Sequence, residues 1–450
     1  MLINYDMFRS LVATTKYSGD KDEYFEMFIN PGPDIVILDE AHRIKNSSSA
    51  LSSLISRMHT RSRICLTGYP LQNHISEYYD MISFVAPGLL GSSKSFKGFF
   101  RNDIERCYAD SSLSIKKQAA MKMYILQLLT DVVTHRRDGS VLNLDLPPKT
   151  EYVIRFKLSP FQLEGYKNLI ELSQAMNPLV GLLTLRAICN HPKIFKNLMK
   201  NRQIKQRNLE LDKEYGKTAF SDDTYIPSTA ISARRNSNSD AEDEDIENLD
   251  TADIAEDNEV DAFAAFLTRG HEWAIKYLDR DEVETWKCSG KMSFIVELAK
   301  NCHVIKEKLL IVSHSLACLE YIEGLLPVLD IKTLRIDGST SFGERQEIID
   351  KFQLKEDIDV MLLSAKAAAI GINLTAANRI VLVDQDWNPL YDEQSIGRVF
   401  RYGQDKPVFV YRLITASTIE ERIFAQSVHK KSISRYLMYV GVSLTISRPW

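Results

Sequence analysis

Two widely separated pairs of charged residues suit a single chemistry. Asp39-Glu40-Ala41-His42 places adjacent carboxylates directly after the apolar run Ile35-Val36-Ile37-Leu38. One carboxylate at a strand end can hold a magnesium ion that bridges nucleotide phosphates, and its neighbour can orient an attacking water. Near the other end, Arg398 and Arg401 lie three residues apart in the stretch Gln394 to Gln404. A helix is expected there, on which the two would share a face. Paired guanidinium groups suit charge developing on a transferring phosphoryl group. Taken alone, the first motif also fits a surface loop, and the second a solvated basic helix face.

Three further segments have the composition of ligand contacts. Thr67-Gly68-Tyr69-Pro70-Leu71-Gln72-Asn73 closes a second apolar run. Its small residues let backbone approach a ligand, and its hydroxyl and amides can meet phosphates, although a simple turn has the same make-up. Leu363-Ser364-Ala365-Lys366-Ala367 and Gly371-Ile372-Asn373-Leu374-Thr375 combine hydroxyl, lysine and glycine. Such a segment can grip a nucleic-acid backbone without reading bases. Trp387-Asn388-Pro389 could stack on nucleic acid, although a core position is the commoner use of tryptophan.

Repeated strand–helix units have to position these residues. Apolar runs at 34–38, 63–67, 308–313, 331–336, 358–364 and 379–383 read as strands, and 113–133, 316–326 and 344–352 as helices. This alternation predicts an α/β fold, an open parallel sheet with helices on both faces, and ligands at the carboxyl ends of its strands. The expected divisions are 1–134, a helical linker or protrusion with the start of the second unit at 135–199, a disordered acidic insertion at 200–262, a second α/β unit at 263–431 and a tail at 432–450. The insertion has too little apolar surface to offset the entropy of ordering it, and a solvated spacer or a histone-binding segment both fit it.

The net charge of -4 argues against a polyanion-binding protein only when averaged over the chain. Asp240 to Asp261 holds twelve acidic residues and no basic ones, so the remainder carries +8. The six cysteines are scattered without a C-x-x-C pair, which points to a reducing compartment and neither a zinc site nor a disulfide framework. No apolar run approaches the ~20 residues of a membrane span, and no secretion signal opens the chain, so a soluble, membrane-free protein is expected.

In this order the motifs resemble the Swi/Snf-like branch of superfamily-two helicases. Asp39 to His42 and Thr67 to Asn73 match motifs of the first lobe. Asp337-Gly338-Ser339 with Arg345, Leu363 to Asn373, Trp387 to Pro389 and Gln394 to Gln404 match motifs of the second. Leu185-Arg186 and Cys189-Asn190-His191-Pro192 match a further signature. Leu90-Gly91-Ser92 with Phe96, Arg136-Arg137-Asp138, Leu146-Pro147-Pro148-Lys149 and Glu151-Tyr152-Val153 narrow the likeness to the ATRX and androgen-receptor-interacting branch.

The resemblance implies two RecA-like lobes, the first incomplete, that close on ATP and Mg2+ while gripping double-stranded DNA. Asp39 would bind the metal, Glu40 would activate water, and Arg398 and Arg401 would be arginine fingers. His42, Gly371 and Gln404 would join the nucleotide site, while Thr67, Gly68, Ser364, Lys366 and Trp387 would face DNA. Nucleosomes, histones and recruiting chromatin proteins are the implied partners, the nucleus the implied compartment, and remodelling or DNA repair the implied setting.

The family's phosphate-cradling loop, glycine-rich and ending in Gly-Lys-Thr, belongs further upstream of Asp39 than this chain reaches, and is expected to be missing rather than altered. Gly216-Lys217-Thr218 is a decoy, because Leu211 stands where the earlier glycine belongs. Gly290-Lys291 reads as a helix start. Two functions therefore compete: a DNA-translocating ATPase, or a DNA- and chromatin-binding fragment that does not hydrolyse ATP. A first lobe without its initial strands is also expected to leave apolar surface open.

Overall fold

The computed structural model describes residues 1–13, 21–44, 49–68, 74–107, 111–135, 137, 145–173, 178–200, 273–355, 357–368 and 371–439. The acidic insertion, Tyr69 to Asn73, Arg136, Asp138 and the end of the tail lie outside them.

The N-terminal body is built on two short parallel strands, β1 (Ile35–Leu38) and β2 (Ser62–Cys65), with Leu38 opposite Cys65. Their parallel run brings Asp39 and Thr67 out at one edge. Val36 and Leu38 point into a core with Phe8, Phe28, Tyr78 and Leu126, supplied by the helices Tyr5–Ala13, Lys21–Phe28, Ile75–Val85 and Leu113–Thr130. Successive strand residues face opposite sides, so Ile35 and Ile37 point the other way and are 57% and 59% exposed. Ile64 and Leu66 are exposed as well. Parallel sheets are normally covered on both faces. The open apolar surface expected from the sequence is therefore present.

The C-terminal body holds one all-parallel sheet of six strands in the order β3-β8-β7-β4-β6-β5. These are β3 (Lys149–Phe156), β4 (Lys308–Ser313), β5 (Thr333–Ile336), β6 (Val360–Ser364), β7 (Ala377–Leu382) and β8 (Val408–Thr415). The middle strands β4 and β6 are buried along nearly their whole length, as their unbroken apolar sequences require. Helices Gly290–Ile305 and Leu316–Leu325 pack on one face, and Phe342–Leu354 and Leu390–Gly397 on the other. The edge strand β3 pairs with β8, so the 135–199 segment, expected to hold the start of the second unit, contributes a strand to this sheet.

β4 connects to β5 on one side of the sheet and β7 connects to β8 on the other, so their adjacent carboxyl ends diverge. A crevice opens at such a point in open α/β sheets. Helix Ile419–Tyr439 runs through the expected 431/432 boundary, and its Ile433 packs against the N-terminal core. Among the described residues, no helix is long and apolar enough to cross a membrane.

Candidate functional site

Backbone pairing carries β1 and β2 past their last strand residues. Leu66 N–H donates to the Leu38 carbonyl at 2.8 Å and Ala41 N–H to the Leu66 carbonyl at 2.9 Å. Asp39 and Glu40 thus sit on the turn between the strand and the short helix Ala41–Ile44. Glu40 adopts φ 48°, a left-handed conformation that costs a non-glycine residue free energy and is concentrated at functional positions. Its N–H donates to Asp39 Oδ1 at 2.9 Å, and the Tyr5 hydroxyl donates to the Asp39 carbonyl at 2.7 Å. His42 Nδ1 lies 3.2 Å from Glu40 Oε2.

The Glu40 carboxyl is raised above its ordinary range by burial and by the Asp39 charge, and drawn back by Arg398. A carboxyl so poised can hold and release a proton nearer neutrality than a solvated one. Thr67 is half-buried beyond β2, and Gly68 is exposed. Among the described residues, no group of three or more His, Cys, Asp or Glu side chains could hold a metal. The exposed Asp39 and neighbouring Glu40 fit a hard cation that takes one or two carboxylates and completes its shell with phosphate and water. That is the usual situation of magnesium on a nucleotide.

The arginine pair differs from the sequence expectation in its local structure. Helix Leu390–Gly397 stops before it, Arg398 is the C-cap, and Arg401 lies in the turn that follows. What holds the pair is tertiary. Arg398 Nε donates to the Ala368 carbonyl at 2.7 Å, Arg401 Nη1 to the Ile372 carbonyl at 3.3 Å, and Leu374 N–H to the Arg398 carbonyl at 2.9 Å. Burial lowers the Arg398 pKa, the neighbouring Arg401 lowers it further, and Glu40 opposes both. Glu40 and Arg398 belong to different bodies, yet each shifts the other's protonation equilibrium.

The remaining candidates divide. Lys366 is exposed and Trp387 half-buried, both beyond carboxyl ends of the C-terminal sheet. Gly371 is exposed, and a Cβ added there would meet nothing within 4 Å. Ser364 is buried, and its hydroxyl oxygen accepts from Ala367 N–H at 3.2 Å, so it caps the short helix Ala365–Ala368. Gln404 is also buried. Its Nε2 donates to the carbonyls of Thr375, Ala377 and Val399, and its Oε1 accepts from Lys406 N–H. This amide braces the turn behind the arginines instead of facing a ligand. Lys291 is equally withdrawn: its Nζ donates to Asn190 Oδ1, the Val383 carbonyl and Glu420 Oε1. The Gly290-Lys291 pair is thus a helix start with an inward lysine, as its sequence suggested.

Sequence reasoning missed a buried charged cluster at the diverging ends of β4 and β7. It comprises His314, Asp384, Asp386, Asp392, Arg186 and Arg412. Its one local signal was polar residues following buried strands.

Two α/β bodies, with a carboxylate pair after a strand of one and the charge of Arg398 in the other acting on Glu40, make a pair of RecA-like lobes. The chain belongs to the SNF2-like branch of helicases: an SNF2-related domain matches residues 9–194 and a helicase conserved C-terminal domain residues 290–403. It is 31% identical to the transcriptional regulator ATRX homolog of Drosophila melanogaster, over 96% of this chain and 38% of that protein. Its identity to helicase ARIP4 of Mus musculus is 30%, over 92% of this chain and 30% of that protein. The chain thus spans well under half the length of either relative. A crystal structure described as the C-terminal part of the Fun30 ATPase domain is 25% identical, covering 65% of this chain and 97% of its own, with a TM-score of 0.42.

Proposed function

We propose that this chain carries the inter-lobe interface of an ATP-driven motor that tracks double-stranded DNA and remodels nucleosomes or other DNA–protein complexes in the nucleus. The mutual influence of Glu40 and Arg398 across the two lobes carries this reading. ATP with Mg2+ supplies the transferable phosphoryl group and the divalent charge. Asp39 offers the metal-binding carboxylate. Glu40 orients the attacking water and takes its proton, with His42 beside its Oε2 restricting where that carboxylate points. Arg398 and Arg401 offset negative charge from the far side, already held in place by the 368–374 backbone. The site is complete only when the lobes meet, so closure and opening can be coupled to stepping by the surface bearing Thr67, Gly68, Lys366 and Trp387.

A second reading has its own observation. The 450 residues contain no G-x-x-x-x-G-K-[ST] loop. Catalysis of phosphoryl transfer rests on positioning and electrostatics, so without those phosphate contacts the chain by itself would bind DNA and chromatin without turnover.

Phosphate release with and without duplex DNA separates the two. The motor reading expects DNA-stimulated hydrolysis that falls about 100-fold in Glu40→Gln, the low end of what a positioned general base contributes. Equal rates in both proteins would remove Glu40 from its role. DNA binding with no hydrolysis in either would select the second reading. Both readings expect duplex affinity to fall steeply with salt, and Lys366→Ala to reduce the slope of log affinity against log salt by about 1. An unchanged slope would take Lys366 off the DNA.

A further inference from the structure

Where the carboxyl ends of β4 and β7 diverge, the crevice is filled by a charged cluster centred on His314. Ser313 closes β4, and its hydroxyl donates to Asp384 Oδ2 at 3.0 Å, while His314 N–H donates to Asp384 Oδ1 at 2.8 Å. Both oxygens of Asp384 are thus occupied by the β4 end. The His314 imidazole reaches further. Its Nε2 lies 3.1 Å from Asp392 Oδ1 and its Nδ1 3.5 Å from Asp386 Oδ2. These two aspartates flank the Trp387 loop. Asp386 Oδ1 accepts from Trp387 N–H at 2.7 Å, and Asp392 stands in the first turn of the helix Leu390–Gly397, which ends on Arg398.

We infer that His314 is a positioning residue, whose imidazole bridges Asp386 and Asp392 and thereby fixes the Trp387 loop against the helix that presents Arg398.

The surrounding charges come from every element packed on the cluster. Helix Pro178–Asn190 contributes Arg186, whose Nη2 donates to the Gln385 carbonyl at 2.8 Å and lies 3.9 Å from Asp384 Oδ2. Strand β8 contributes Arg412, which donates to Asp392 Oδ2 at 2.9 Å and to Glu393 Oε1 at 3.2 Å. Helix Ile419–Tyr439 contributes Lys431, paired with Glu393. Helix Gly290–Ile305 contributes Lys291, whose charge reaches Asp384. The Tyr391 ring meets the imidazole edge-on, with centroids 6.3 Å apart.

Each ring nitrogen faces a carboxylate, so only the doubly protonated ring donates in both directions. Burial alone would lower the His314 pKa; the hydrogen bond to Asp392 and the charges of Asp386, Asp392 and Asp384 outweigh it and push it up to about 9. The bridge therefore holds through neutral pH and is lost as pH rises through that value. Its use in coupling DNA to ATP rests on the motor reading, but the bridge itself does not.

The test needs neither DNA nor nucleotide, so it fails or succeeds apart from that reading. Subtracting the emission of Trp387→Phe from that of the unaltered chain isolates the Trp387 signal from Trp273, Trp286 and Trp450. Between pH 6 and 10, that signal is expected to change with a midpoint near 9 and to become about twofold more quenchable by acrylamide. In His314→Gln, made with and without Trp387→Phe, the signal is expected to look released at pH 7 and not to titrate. Should His314→Gln fail to fold, Asp386→Asn leaves the Asp392 contact and is expected to lower the midpoint by about one unit, a tenfold loss of proton affinity. A flat Trp387 signal in the unaltered chain, a titration that survives His314→Gln, or a midpoint unmoved by Asp386→Asn would each overturn the inference.

Discussion

Replacing Lys291 with methionine is expected to cost about 3–5 kcal/mol of folding free energy, because it strands a buried carboxylate. Lys291 and Glu420 are 1% and 0% exposed, with Nζ and Oε1 2.6 Å apart. Lys291 also draws Asn190 and the end of β7 together, while Glu420 Oε2 accepts from Thr415 N–H at 2.8 Å. One ion pair therefore ties two helices of this lobe, the ends of β7 and β8, and the last helix. Methionine fills much the same volume without the charge, so the loss reports Glu420's unpaired state rather than a cavity. Pairing the change with Glu420→Gln is expected to return part of the loss, since a neutral amide is cheaper to bury than a lone carboxylate. Urea unfolding followed by circular dichroism reads both. A cost below about 1 kcal/mol for Lys291→Met would show that the pair holds nothing together.

Arg398→Ala is expected to lower DNA-stimulated ATP turnover by about 10³ to 10⁵-fold, the span associated with an arginine finger. Duplex affinity without nucleotide is expected to stay within about threefold, because this guanidinium is half-buried on the Ala368 carbonyl and feels the Glu40 charge. Arg398→Lys should not rescue turnover. A lysine has no planar fork with which to hold the Ala368 carbonyl and present charge at the same time. Turnover within threefold of the unaltered chain would remove the residue from the reaction.

β4, β6 and β7 sit in the body of the six-stranded parallel sheet, and their apolar runs announce them. β3 was hidden because Lys149, Glu151 and Arg155 interrupt its apolar residues, and its partner β8, itself missed, lies more than 250 residues away. The spacing of Arg398 and Arg401 was visible, but their support was not. The helix ends at Gly397, and carbonyls of the 368–372 segment hold the side chains.

Ser364 and Gln404 show the opposite error. The hydroxyl of Ser364 and the family resemblance at Gln404 suggested ligand contact, yet each is buried and spends its hydrogen bonds on backbone, as buried polar groups generally do. The His314 cluster was invisible for a third reason. The aspartates that its imidazole bridges lie 72 and 78 residues along the chain, and nothing local marks a histidine that bridges two aspartates.

Everything proposed for turnover depends on the two lobes sharing one electrostatic neighbourhood at Glu40. Carbon-13 carboxyl titration of the glutamates, with the Glu40 signal assigned by its loss in Glu40→Gln, measures this without any ligand. Removing the cation in Arg398→Ala is expected to move the Glu40 midpoint upward, since burial and Asp39 would then act unopposed. A midpoint that is identical with and without the Arg398 guanidinium would mean that the acidic and basic halves of the site never meet.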